Sequence, residues 1–120
     1  MADKIQVMHI DNNPIGQLTD MAFVSVNLIN LQKVYMANCS LNNVHPGAFS
    51  SLVILIELDM SGNNLRTLHS GTFKGNIRLR KLWLTGNPIR LDVFALHAVC
   101  NHFVIIELIW FQVLARLPVS

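Results

Sequence analysis

At 120 residues, 52% of them hydrophobic and 13% charged, the chain has the bulk for one small domain and is too apolar to be a disordered tail. Its net charge of +2 is low for a sequence-independent binder of nucleic acid, which carries a denser basic patch, so nucleic acid is not an expected partner. Its two cysteines, Cys39 and Cys100, are too few for a dense disulfide framework and form no CxxC pair.

The N-terminal stretch MADKIQVMHIDNN has no apolar h-region, so the chain as written carries no signal peptide, and residues 1–92 hold no transmembrane run. From Ile5 onward a spacing recurs. The first unit places Ile5, Met8, Ile10, Asn13, Ile15, Leu18 and Phe23. After a two-residue insertion in VNLINL (26–31), the second places Leu31, Val34, Met36, Cys39, Leu41, Val44, Gly47 and Phe49. The third repeats it with Leu55, Leu58, Met60, Asn63, Leu65, Leu68, Gly71 and Phe73. The fourth starts again with Leu79, Leu82, Leu84, Asn87 and Ile89. The shared pattern is LxxLxLxxNxLxxLxxGxF with a period of about 24 residues. It predicts repeats at about 5–28, 29–54, 55–78 and 79–102.

That spacing has a physical reading. Each unit supplies one short strand, such as ELDM (57–60), in which alternation sends Leu58 and Met60 inward and Glu57 and Asp59 outward. The chain returns one period later as a parallel neighbour about 4.8 Å away. The turn after the strand buries backbone polar groups that need partners, and an Asn side chain offers both donors and an acceptor. Asn13, Asn63 and Asn87 are expected to stack there as a buried ladder. Leu65 and Leu68 fill the inside of the outer arc, Gly71 allows a positive φ or a close backbone approach, and Phe23, Phe49 and Phe73 stack as an inner spine. Met21 stands where the first unit lacks the glycine, so that turn should differ. Cys39 and Cys100, two or more coils apart, lie beyond the roughly 7 Å that a disulfide tolerates, and both are expected to be reduced.

The pattern resembles the leucine-rich repeat family, in its typical class of about 24 residues. The resemblance covers at least residues 5–91. It implies an α/β solenoid with short parallel strands on a concave face and irregular or 3-10 arcs on the convex side, and it accepts Cys39 at the ladder position. Repeats with a GxF turn are similar to those of secreted and cell-surface receptors, including toll-like receptors and neuronal adhesion proteins. This implies an extracellular or cell-surface location. The missing signal peptide and the absence of cysteine-rich caps leave a cytoplasmic location open. So short an array also fits a fragment of a longer repeat protein, with open ends that invite self-association.

The tail, VFALHAVCNHFVIIELIWFQVLARL (93–117), has three readings. The favoured one is a degenerate terminal repeat over 103–120, in which Phe103, Ile106, Leu108, Phe111 and Val113 continue the spacing. A transmembrane segment over 93–117 has the right length, which would make the chain a membrane-anchored receptor fragment, but Glu107 and other polar residues interrupt it. An amphipathic helix closing the solenoid is the third.

Function would sit on the outward strand residues, which sort into columns. The first reads Val7, Lys33, Glu57, Lys81; the second His9, Tyr35, Asp59, Trp83; the third Asp11, Ala37, Ser61, Thr85. Exposed aromatics beside charges have the composition of an interaction hot spot. The expected role is therefore a non-catalytic module binding a protein ligand through Lys33, Tyr35, Glu57, Asp59, Lys81 and Trp83, with Lys33, Glu57 and Lys81 paired across strands. The same column would also serve as mere shelter for neighbouring side chains on the sheet. His45 and His69 occupy equivalent exposed loop positions rather than a catalytic pair. The cluster of His97, Cys100 and His102 fits no standard zinc spacing, Asn38–Ser40 is a formal glycosylation acceptor, and RLRK (78–81) is a solvated rim. With no nucleophile elbow, phosphate loop or paired carboxylates, no catalytic residue, metal or cofactor is expected.

Overall fold

The computed structural model describes residues 4–69 and 71–89. The tail readings, the fifth repeat, Cys100, and the His97, Cys100 and His102 cluster lie outside those residues. Six short strands are present: β1 (Val7–His9), β2 (Gln17–Leu18), β3 (Lys33–Tyr35), β4 (Asn43–Val44), β5 (Glu57–Asp59) and β6 (Lys81–Trp83). β1, β3, β5 and β6 pair in parallel in that order. β2 and β4 form a separate two-stranded parallel sheet, which the repeat pattern did not anticipate. The rest of each coil is built from turns, with no α-helix among the described residues.

The register follows the repeat. Val7, Lys33, Glu57 and Lys81 are successive partners, as are Met8, Val34, Leu58 and Leu82. The first step spans 26 residues and the next two span 24. The two extra residues fall after Phe23, in the turn where Asn27 takes a left-handed φ of 58°.

Burial selects alternate residues. Val34, Met36, Leu58, Met60, Leu82 and Leu84 are fully buried, whereas their neighbours Tyr35, Asp59 and Trp83 are half-buried on the other side of the sheet. Each inward side chain contributes on the order of 1.5–3 kcal/mol when removed from water. On the outer arc Phe23, Phe49 and Phe73 stack, with centroids 5.7 and 5.9 Å apart and planes inclined by 25° and 23°. The first coil is less covered. Met8, Ile10 and Ile15 are only partly buried, and Val7 on the edge strand β1 and Ile5 just before it are exposed.

Asparagine amides tie the coils together after the strands. Asn63 Oδ1 accepts the N–H groups of Cys39 and Leu41 at 2.8 and 3.0 Å, and its Nδ2 donates to the Met36 and Met60 carbonyls. Asn87 repeats this one coil on, accepting from the Leu65 N–H and donating to Met60 and Leu84. Cys39 keeps only half the arrangement: its thiol donates to the Ile10 carbonyl at 3.2 Å. The N–H of Ile15, left without a side-chain acceptor, binds the Cys39 backbone carbonyl at 2.9 Å instead. The residue that follows, Ser40, is left-handed with φ 55°.

Two expectations need correction. Asn13 is exposed rather than buried, and its amide donates only locally, to the Ile10 and Asp11 carbonyls; it belongs to the first coil and has no described neighbour on its outer side. Gly71 shows neither a positive φ nor a close approach, since a Cβ there would meet nothing within 4 Å. A left-handed residue recurs in every coil at a different place, directly before the ladder position: Asn12, Asn38, Gly62 and Gly86, with φ of 65°, 56°, 68° and 80°. Asparagine and glycine are the residues that enter this region at least cost. At Gly62 a Cβ would also overlap the Asn38 carboxamide of the preceding coil.

Candidate functional site: the concave sheet

The four-stranded sheet carries two outward columns on its strands. One runs Val7, Lys33, Glu57, Lys81 and the other His9, Tyr35, Asp59, Trp83, so that residues distant in sequence become lateral neighbours. Lys33, Tyr35, Glu57, Asp59, Lys81 and Trp83 all lie here and all are half-buried, because side chains on adjacent strands cover one another's flanks.

In the first column Lys33 Nζ lies 3.1 Å from Glu57 Oε2. The hydrogen bond and the charge of Glu57 raise the Lys33 pKa. The expected continuation to Lys81 is absent. Lys81 Nζ instead lies 6.0 Å from the centre of the Trp83 ring, two residues along its own strand. With one carboxylate between two lysines, Glu57 pairs with one and the other rests on the aromatic face, where a cation is attracted by the ring quadrupole.

In the second column His9 and Tyr35 stack with centroids 4.6 Å apart and planes 15° from parallel. Partial burial, followed by the negative charges of Glu57 and Asp59, raises the Tyr35 pKa. Asp59 Oδ1 accepts from the Ser61 N–H at 2.9 Å and the Ser61 hydroxyl at 2.7 Å, which fixes the carboxylate at the end of β5. Asp11, two residues beyond β1, is fixed in a related way by the Ala37 N–H at 2.7 Å, and its other oxygen lies 3.9 Å from His9 Nδ1. His9, Asp11 and Ser61 were legible as column members but not as contacts. Their part depends on which neighbours they touch, which spacing alone does not encode.

His45 and His69 are both exposed on the outer loops. His45 Nδ1 accepts the Gly47 N–H at 2.9 Å and lies 3.6 Å from Asp20. Cys39 is a buried free thiol. Among the described residues no three His, Cys, Asp or Glu side chains converge to hold a metal, and no helix is long and apolar enough to cross a membrane.

Parallel strands one repeat apart, an amide ladder and a phenylalanine spine define a leucine-rich repeat solenoid. The sequence profile of that family matches residues 29–89, just over half of the chain, and the chain belongs to it. No curated protein matches the sequence significantly. Among solved structures, a chain from the Toll–Spatzle complex of Drosophila superposes with a TM-score of 0.66 at 20% identity over 75% of this chain. This chain spans 12% of the length of that one.

Proposed function

We propose that this chain is a non-catalytic protein-binding module of a receptor or adhesion type, in which one repeat domain spanning 1–120 offers its concave sheet to a protein ligand. Lys33, Tyr35, Glu57, Asp59, Lys81 and Trp83 are its contacts, with His9 at the edge. The observation that carries the reading is the second column: aromatic rings and a fixed carboxylate, in register on a pre-formed sheet. Tyr and Trp are enriched among the residues that dominate binding energy, and a surface held by the solenoid core loses little entropy when a ligand docks. The complex containing the structural neighbour is described as a hub in development and innate immunity. By that likeness the ligand would be extracellular and met at the cell surface.

The test is selection of peptide ligands from a displayed library on the immobilised full chain, followed by affinity measurement on variants. Tyr35→Ala and Trp83→Ala should bind several-fold more weakly with circular dichroism unchanged. Val53→Ala, in the exposed arc beyond Phe49, should bind as the parent does. Ligands that ignore both aromatic substitutions refute the concave assignment.

A further inference from the structure

We propose that the Asp59 carboxylate, flanked by the Tyr35 and Trp83 rings, is the seat for a cationic side chain of the partner protein, arginine above all. The proposal rests on the reading of the concave face as the binding surface and specifies what that surface recognises.

Four features converge on this point. Tyr35, Asp59 and Trp83 are direct partners across β3, β5 and β6, so the two rings spring from backbones about two strand spacings, or roughly 10 Å, apart, with the carboxylate between them. A flat guanidinium fits such a gap: it stacks on aromatic faces and presents its N–H fork to a carboxylate. One face of Tyr35 is taken by His9, which comes from β1, on the opposite side of β3 from the β5 strand that carries Asp59. Asp59 Oδ1 receives both bonds from Ser61, which orient the carboxylate, while Oδ2 has no partner among the described residues.

The chain's own cations do not fill the seat. Lys33 is engaged by Glu57, and Lys81 lies over the Trp83 ring from its own strand, 6.0 Å from its centre, rather than at the Asp59 carboxylate. The second and third columns contain Asp11 and Asp59 but no lysine or arginine, so this strip is acidic beside a more basic first column. The Tyr35 pKa is raised first by partial burial and then by Glu57, with Lys33 opposing and Asp59 adding the smallest part, so the ring stays a neutral phenol beside the carboxylate.

The experiment is an NMR titration of the full ¹⁵N-labelled chain with N-acetyl-arginine amide and with its citrulline counterpart, which has the same shape and no charge. Arginine should shift amides around Tyr35, Asp59, Ser61 and Trp83, and citrulline should bind at least about fivefold more weakly. Asp59→Asn keeps an acceptor for Ser61 and so preserves the local turn; it should weaken arginine binding by a similar factor. Equal binding of citrulline, indifference to Asp59→Asn, or shifts centred elsewhere would overturn the proposal. Library-selected ligands separate it from the broader reading. If they need Trp83 but tolerate Asp59→Asn, the concave face stands and the cation seat falls. If free arginine binds at Asp59 while selected ligands ignore Tyr35 and Trp83, the carboxylate takes a cation that no protein ligand supplies, and both the seat and the broader reading fall.

Discussion

Removal of the Asn63 amide should cost the protein a large share of its stability. Its Oδ1 is the acceptor for the Cys39 and Leu41 N–H groups, and its Nδ2 is the donor to the Met36 carbonyl. Cys39, Leu41 and Met36 are all fully buried, so water cannot replace the lost partners. The Met60 carbonyl is spared, because Asn87 Nδ2 also reaches it at 2.8 Å. Three orphaned backbone groups at about 1–3 kcal/mol each, partly relieved by local relaxation, give a loss of about 3–6 kcal/mol for Asn63→Ala. A domain of this size has a total stability on the order of 5–15 kcal/mol. Asn13→Ala is the control. Its amide is exposed and bonds only within its own turn, so its loss should be under about 1 kcal/mol. Urea unfolding followed by circular dichroism measures both. An Asn63→Ala variant within about 1 kcal/mol of the parent would refute the claim that amide bonds between coils hold the stack together.

Two glycines should respond in opposite ways. Gly62→Ala meets both a left-handed φ of 68° and the Asn38 carboxamide, and should destabilise by at least about 1–2 kcal/mol; Gly71→Ala meets nothing, and should be neutral or stabilising by about 0.4–1 kcal/mol, both read from chemical denaturation. Phe49→Ala, at the middle of the spine and fully buried, should cost about 3–5 kcal/mol, whereas Phe23→Ala, with one ring neighbour, should cost less. Tyr35 is the single tyrosine, so tyrosinate absorbance reports it directly and its midpoint should lie above the usual value of about 10. Because the folded state holds this proton more tightly than the unfolded state, as it does for Lys33, the contribution to stability is intact below about pH 10 and is lost as pH rises through the folded values. Tyr35→Phe should flatten part of that alkaline decline, and a midpoint at or below the usual value would contradict the partial burial of Tyr35 beside Glu57.

The repeat spacing by itself determined the solenoid, the inward set from Leu31 to Ile89, the phenylalanine spine and the membership of both strand columns. Those follow from a single physical demand: apolar side chains at fixed intervals leave water together only when successive coils stack in register. The spacing also marked Asn63 and Asn87, since few other side chains can serve a buried turn as both donor and acceptor. Tertiary structure alone decided the rest. Asn76 is fully buried, and its Nδ2 donates to the Phe49 and Leu52 carbonyls of the preceding coil, yet it stands where the previous repeat has Leu52 and nothing in the pattern marks it. Likewise the left-handed Asn12 and Asn38, the backbone carbonyl of Cys39 that serves Ile15, and the choice of Lys33 over Lys81 as partner of Glu57 depend on what the adjacent coil places within hydrogen-bond reach. These choices differ by roughly 1 kcal/mol or less, too little to leave a periodic trace in composition, and they settle only once the much larger burial energy has fixed which side chains are neighbours.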